Sequence, residues 1–419
     1  MEDKFYKQIL KGDHIIWCVF FCLCCISLVE VFSASSALSY ETGDYLSPIK
    51  NHSVMLMVGT AIAVGVHHIP VRYFKLVPFF FLPVSVVLLA AVMGMGLFFD
   101  MRINGSSRWL FGFQPSEMAK MAIVTWTAYL LSRYHKDGEC STEAFKPILI
   151  SAGVVLALIA PENLSTALLI AVVIYLMMLI GCIPWRQMFK LTGVIVATGA
   201  ILSTALLTVP PSVYKDVPGL HRAATWRARL IDFFNPEYIP PAKFDIDGDA
   251  QKAHSHIAIS TGGVVGKGPG NSTQRDFLSH GYSDFIYAIT VEELGLLGGL
   301  FVVFLYIVLL VRAGKIAKRC DKPFPALLIM GVTLLMVCQA FLHMAVSVGL
   351  FPITGQPLPL VSKGGSSIMF NSFYVGIMLS VSRYVSEGCQ INETEGDILP
   401  SLPTGSNESV TDENNKDAK

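Results

Sequence analysis

The sequence predicts an all-α, polytopic membrane protein with about ten transmembrane helices and one long extracytoplasmic loop. Three observations carry that prediction. Hydrophobic residues make up 53% of the 419 and charged residues only 15%, where a soluble domain carries roughly a quarter charged residues. Apolar runs suited to crossing a bilayer recur along the chain. Lys and Arg gather in alternate connecting segments, as they do in the short cytoplasmic loops of membrane proteins. The formal net charge is zero, so charge balance gives no argument for nucleic acid as a partner.

The first apolar run, Ile15–Phe32, follows Lys4, Lys7 and Lys11. It lacks a clear small-residue cleavage site and reads as a retained first helix. Val54–Val66, Leu76–Phe98 and Met118–Leu131 come next. Ile148–Ile159 and Leu164–Ile183 are separated by the tight turn Pro161-Glu162-Asn163. Leu191–Val209, Phe285–Val311, Ala326–Val348 and Ile368–Val381 complete the set, the shorter cores extending into flanking residues. With the N-terminus inside, the inner loops hold Arg72 and Lys75, Arg133 and Lys136, Arg186 and Lys190, and the basic run from Arg312 to Lys322. The short outer loops hold only Lys50, Arg102, Arg108 and Lys363. Both termini are therefore expected in the cytoplasm. The nine cysteines show no metal-site spacing and read as small packing groups.

Two segments are not membrane. The outer loop, residues 210–283, is rich in Pro and Gly and too long for a bare connection. Within it, Trp226–Phe234 suits a short interfacial helix with Trp226 and Phe233 towards lipid. The membrane domain is expected over residues 1–385. The tail, 386–419, is polar and acidic, without aromatics, and is expected to be a disordered cytoplasmic segment.

The groups that could do chemistry gather near the outer face. Ionisable residues at membrane depth cost about 2.5–3.5 kcal/mol on insertion scales, so each is a functional candidate. In NGSSRWLFGFQPSEMAK (residues 104–120), Ser116 is placed to cap a helix, and Glu117 and Lys120 share a helical face. The pair either stabilises a helix end or lines a polar pocket with Arg108. PENLST (161–166) reads as a turn whose Asn163 or Ser165 caps the next helix. Arg227 and Arg229 either anchor to lipid headgroups or grip a pyrophosphate. From Gly262 onward, GGVVGKGPGNSTQRDFLSHGYSD combines close-set glycines, Lys267 and, at its end, Asp284. The ending of a nucleotide-binding Gly-rich loop is absent. Asp284 directly precedes a long apolar span, either as a helix cap or as an acting group. In GLFPITGQPLPLVSKGGSS (349–367), prolines and glycines between two spans suit a re-entrant or kinked loop. Ser366 and Ser367 can cap the last helix.

These motifs together, NGSSRWL…FQPSEMAK, PENLST, the GKG run, SDFIYA…EELG and GLFPITG-PLPLVS-GGSS, resemble the SEDS proteins of the FtsW/RodA/SpoVE group. They occur in the family's order and span residues 104–382. The resemblance implies a peptidoglycan glycosyltransferase in the bacterial inner membrane, both termini cytoplasmic and the active site facing the periplasm. Lipid II would be the substrate, and a class B penicillin-binding protein transpeptidase and divisome proteins the partners. Length, charged tail and Gly-rich loop place the chain nearer the FtsW branch. Asp284 matches the essential loop aspartate; Arg108, Glu117 and Lys120 match cavity residues. Arg227, Arg229, Lys267, Ser366 and Ser367 complete the expected substrate-binding set. A divalent cation, Mg or Mn, could share the charge on the pyrophosphate, although no ligand cluster demands one. A lipid II flippase and an elongation-type glycosyltransferase are the alternatives. The chain departs from the common pattern at Tyr282-Ser283, where many relatives have His-Thr, at Lys363, where many have Tyr, and at Ser347, where an Asn is frequent.

Overall fold

The computed structural model of the chain describes residues 12–34, 47–98, 113–136, 139–209, 223–234, 249–278 and 281–387. Twelve α-helices lie among them. They are α1 (His14–Ala34), α2 (Ser47–His67), α3 (Val77–Phe98), α4 (Pro115–Arg133), α5 (Phe145–Ile159), α6 (Leu164–Ile180), α7 (Trp185–Thr208), α8 (Ala223–Phe234), α9 (Asp249–Gly262), α10 (Ile286–Ala317), α11 (Pro323–Ser347) and α12 (Gly365–Glu387). A two-residue antiparallel ribbon follows α4, pairing His135 with Cys140 and Lys136 with Glu139. Every expected span coincides with a helix, and α8 falls where the interfacial helix was expected. Helix α9 is an addition: its polar sequence gave no periodic signal. Met1–Gly388 forms one compact unit. Of the expected tail, Ser386 and Glu387 end α12, and residues 388–419 lie outside the described residues.

Seven of the described helices are long and apolar enough to cross a membrane by length and composition. Helix α6, at 17 residues, is short of that measure. Helices α4 and α12 fall outside it because of their polar residues, many of which are packed inside the protein. In α4, Ser116, Glu117, Lys120, Thr125 and Thr127 are all buried. The two threonine hydroxyls donate to carbonyls one turn back, Thr125 to Met121 O and Thr127 to Ile123 O, so neither hydroxyl is left bare in an apolar setting.

Helix α11 is the centre of the bundle. It packs on α4, α6, α10 and α12, and 72% of its most apolar stretch is buried, against 6% for α7. Gly331 lets it approach two neighbours at once: a Cβ there would lie 2.7 Å from Met177 Cε of α6 and 2.9 Å from Val124 Cγ1 of α4. Without a hydrophobic drive between helices in lipid, such close contact is what holds them. At the opposite end from Asp284, Asp13 caps α1 by accepting from Ile15 N at 2.9 Å and Ile16 N at 3.2 Å. Its other oxygen pairs with Arg312 Nε of α10 at 2.6 Å, tying two antiparallel spans together.

Candidate active site

Two segments meet at Asp284, the turn before α10 and the Gly/Pro-rich segment between α11 and α12, and the start of α4 supports the second of them through Gln339. The Gly/Pro-rich segment is irregular backbone, yet Gln356, Leu358, Leu360, Val361 and Ser362 are buried. Irregular backbone at such depth requires every carbonyl and amide to find a partner. Gln339 Nε2 of α11 donates to Pro357 O at 2.9 Å. Tyr306 Oη of α10 donates to Pro359 O at 2.5 Å. Ser27 Oγ of α1 donates to Val361 O at 2.8 Å. His343 Nδ1 lies 2.7 Å from Gln356 O, and Gln356 Nε2 donates to Thr166 Oγ1 of α6 at 2.7 Å. Helices α1, α6 and α10 thus each hold one point of the segment and α11 holds two, so that it forms a fixed floor.

Asp284 sits half-buried on that floor. Ser283 Oγ donates to its Oδ1 at 3.0 Å. The turn is stitched to the segment by Lys363 N donating to Tyr282 O at 3.0 Å and Ser362 Oγ donating to Ser283 O at 2.7 Å. Gly355, at φ +64°, backs the carboxylate; a Cβ there would lie 3.4 Å from Asp284 Oδ2. Lys363 Nζ lies 5.0 Å from the centre of the Tyr282 ring. Burial holds this ammonium below the ordinary lysine pKa, because removal from water penalises the charged form. The Lys363 departure therefore places a cation over the wall of the Asp284 turn.

Glu117 and Lys120 pair at 2.7 Å, with side chains 3% and 1% exposed. Lys120 Nζ also donates to Gln339 Oε1 at 2.8 Å. The ion pair therefore reaches the floor through Gln339 and belongs to its support. The α4 start differs from the expected cap: the helix begins at Pro115, with Gln114 as N-cap and no side-chain cap bond. Pro115 has no amide hydrogen to satisfy, which removes one need for a cap. Ser116 instead accepts from Gln114 Nε2 at 3.0 Å. Asn163 does cap α6, its Oδ1 accepting from Thr166 N at 3.2 Å.

The Gly-rich run has a structural partner of its own. Helix α10 is broken at Gly295, which has φ +71° and ψ −176°, a combination open essentially to glycine alone. The run enters that break. Lys267 N donates to Glu292 O, Gly268 N to Glu293 O and Leu296 N to Gly263 O, at 2.8–3.0 Å. A Cβ on Gly266 would lie 2.2 Å from Glu293 O. Glu292, fully buried, pairs with Lys267 Nζ at 2.5 Å and accepts from Ser272 and Thr273. Glu293 accepts from Gly270 N at 2.9 Å, Ser272 N at 3.1 Å and Ser33 Oγ of α1. Arg275 Nη1 completes the clasp by donating to Ser33 Oγ at 3.0 Å.

The other expected residues are dispersed. Lys267 is engaged by Glu292, Thr261 and Thr273. Arg227 and Arg229 lie on α8, which packs against the end of α7 through Ala223 and Trp226 on Leu206 and Val209. Trp226 thus turns towards α7, where lipid was expected. Ser366 and Ser367 fall inside the first turn of α12, past the capping position, and Ser367 Oγ accepts from Asn371 Nδ2 at 3.1 Å. Ser347 is buried and donates to His343 O of its own helix at 3.0 Å. Arg108 lies outside the described residues. Sequence reasoning missed Gln339, His343, Gln356 and Thr166. Gln339, His343 and Ser347 are spaced by four along the ninth span, and that polar stripe was the available signal. Among the described residues no group of three or more His, Cys, Asp or Glu side chains is arranged to hold a metal.

A helical bundle with a polar floor, a fixed carboxylate and a broken span clasped by a Gly-rich loop defines a polytopic membrane protein with a buried polar site. The family model for FtsW, RodA and SpoVE, described as cell cycle protein, matches residues 13–387, and the chain belongs to that family. It is 29% identical over 387 residues to a probable peptidoglycan glycosyltransferase FtsW of Geobacter metallireducens, covering 90% of this chain and 96% of the relative. A protein of the same description from Halomonas elongata is 30% identical, covering 85% of this chain and 86% of the relative. In fold the chain is similar to a chain from a peptidoglycan synthase complex that coordinates polymerization and crosslinking. The TM-score is 0.67 at 21% identity, over 89% of this chain and 98% of that one. It is also similar to the rod shape determining protein RodA of Thermus thermophilus, with TM-score 0.60 at 20% identity, over 89% of this chain and 97% of that one.

Proposed function

We propose that this chain is a peptidoglycan glycosyltransferase that polymerises lipid II for septal wall synthesis. The observation that carries this reading is its near full-length similarity to probable peptidoglycan glycosyltransferases FtsW. The likeness in fold to a chain of a peptidoglycan synthase complex supports a transpeptidase partner, here a class B penicillin-binding protein, within the divisome. The loop charge pattern supports an inner-membrane location with both termini cytoplasmic and Asp284 at the periplasmic side.

In the reaction an acceptor sugar hydroxyl attacks the anomeric carbon of a lipid-linked donor. Asp284 takes the hydroxyl proton as general base, and the bond to the pyrophosphate breaks with its electron pair leaving on phosphate. Fixed cations offset that charge. Lys363 stands closest in the chain architecture to the Asp284 turn, while Arg108 and one of Arg227 or Arg229 are assigned to the same task. Glu117 and Lys120 act by holding the floor. Asp284 would be the residue to hold a Mg or Mn ion, since such ions need only one or two protein carboxylates, and the ion would supply charge neutralisation at the pyrophosphate.

The test is glycan formation from lipid II by purified protein with its partner transpeptidase, read on gels. Asp284→Ala is expected to abolish chains while leaving unfolding temperature and partner binding intact. Full activity in that variant refutes the role of Asp284. Lipid II movement across vesicles without chain formation by the unaltered protein would point to a flippase.

A further inference from the structure

His52 is a buried imidazole that the mechanism above does not use. It lies in the second turn of α2, with 2% of its surface exposed, on a helix apolar enough to cross a membrane. A polar side chain buried in such a place needs a partner, and it has one. His52 Nε2 lies 2.7 Å from Ser27 Oγ of α1. A serine hydroxyl carries a single hydrogen, and Ser27 gives it to Val361 O at 2.8 Å, since a carbonyl can only accept. The hydroxyl is therefore the acceptor at its other contact, and His52 Nε2 carries the hydrogen and donates. Hydrogen bonds in line polarise one another, so the imidazole strengthens the grip of Ser27 on the carbonyl.

That carbonyl begins a continuous path to the acting carboxylate. Ser362, the next residue, donates through Oγ to Ser283 O at 2.7 Å. Lys363 N donates to Tyr282 O at 3.0 Å. Ser283 Oγ in turn donates to Asp284 Oδ1 at 3.0 Å. The stretch Val361–Lys363 is thus held at its first residue by His52 and Ser27, and through the next two it holds the residues directly before Asp284. It also carries the Lys363 ammonium, 5.0 Å from the centre of the Tyr282 ring. Helix α2 is a firm base for the imidazole. A Cβ on Gly365, at the start of α12, would lie 3.6 Å from Met55 Sδ, one turn on from His52. A Cβ on Gly59, a further turn along, would lie 2.6 Å from Ser372 Oγ of α12. So α2 is pressed against the helix into which the stretch leads.

We propose that His52 is a positioning residue for the Asp284 turn. It acts through Ser27 on the Val361–Lys363 stretch and holds Asp284 and the Lys363 ammonium in the mutual placement that glycosyl transfer needs. The proposal rests on the glycosyltransferase reading. His52 touches neither substrate nor the reacting atoms. Without its N–H, Ser27 Oγ loses one of its bonds and is free to turn from Val361 O. The stretch then shifts, and the turn before α10 shifts with it. Ground-state binding of the lipid-linked sugar is spread over many contacts and is little changed, whereas the attack geometry at a single carboxylate is sensitive to small displacements.

The experiment uses the full chain with its partner transpeptidase and lipid II as the probe. It measures kcat, KM and unfolding temperature for the unaltered protein, His52→Leu, His52→Gln, Ser27→Ala and the double variant His52→Leu with Ser27→Ala, at a temperature where the unaltered protein is folded. The expected result for His52→Leu is a fall in kcat of about 10- to 100-fold, since displacing a reacting group by ~1 Å can cost about 100-fold, with KM unchanged. His52→Gln, whose amide keeps a donor near the Nε2 position, should recover most of the rate. Ser27→Ala should fall at least as far as His52→Leu. The double variant should be no slower than Ser27→Ala, because His52 acts only through that hydroxyl. Unaltered kcat in folded His52→Leu overturns the proposal, as does a rise in KM alone. It is overturned too if His52→Gln is as slow as His52→Leu, or if the double variant loses the product of the two single losses. If His52→Leu does not fold, Ser27→Ala, smaller by one oxygen, decides by the same split of kcat from KM. If the unaltered protein makes no glycan, the glycosyltransferase reading fails and this inference falls with it. If it makes glycan and the folded variants do so equally well, only this inference fails.

Discussion

Replacing Lys120 by Met tests whether the Glu117–Lys120 pair belongs to the framework or to the substrate. The structure sets the magnitude. Both side chains are almost fully buried and the charges are 2.7 Å apart. Removing the cation leaves the Glu117 carboxylate without a counter-ion, and Gln339 Oε1 loses its donor. Breaking a buried pair from one side costs about 3–5 kcal/mol, whereas removing both charges together is often close to neutral. Lys120→Met is therefore expected to lower stability by about 3–5 kcal/mol, and Glu117→Gln with Lys120→Met to recover all but about 1 kcal/mol of it. Thermal unfolding in detergent across the four members of the cycle reads this coupling. The reasoning is refuted if Lys120→Met unfolds with the unaltered protein, or if the double variant loses the sum of the two single losses. A stable double variant that polymerises normally confirms a framework role; a stable but inactive one shows that the pair touches substrate.

Three further outcomes follow from other parts of the molecule. Gly266→Ala should destabilise the loop clasp by more than about 1–2 kcal/mol, the strain of a positive φ alone, because its Cβ would overlap Glu293 O; limited proteolysis of residues 263–278 should accelerate. Lys363→Met should be more stable than the unaltered protein at neutral pH. The folded pKa of Lys363 is lowered by burial, so the unfolded chain binds the extra proton; the gain should fade as pH rises from the lowered value through the ordinary lysine pKa, about 10.4, in pH-dependent unfolding curves. Burial and, secondarily, Asp321 push the Cys320 thiol up to about 12, so maleimide at pH 7 should spare it while labelling the exposed Cys182, as mass spectrometry of the labelled protein would show.

The spans were legible because bilayer thickness imposes a length and an apolar composition that any reader of the sequence can find. The Glu117–Lys120 pair was legible too, because a spacing of three places two charges on one helical turn. What escaped was the polar interior. Gln339, His343 and Thr166 lie in runs that read as membrane, and only tertiary contact shows that they face a buried loop. The Gly-rich run misled for a related reason. Lys267 was expected to bind substrate, but it is engaged by Glu292, and at Gly266 the close approach is made by Glu293 of the same chain. Helix α9 left no mark because its polar residues, such as Ser255, which donates to Ser347 O at 2.9 Å, are satisfied by specific partners without an apolar stripe.

The break at Gly295 changes what α10 has to do. Unbroken, its 32 residues would measure about 48 Å at ~1.5 Å per residue, far more than the ~30 Å of hydrocarbon. The portion after Gly295 is, by itself, long enough to cross. The portion before it is left as a short separate pedestal packed inside the protein, with Ile286, Ala288, Ile289 and Thr290 fully buried. Glu292 and Glu293, which in the sequence look sunk two or three turns into a span, stand on that pedestal among hydroxyls and amides. Asp284 stands just before it, so its distance from the spanning portion is set by where a single glycine interrupts a helix.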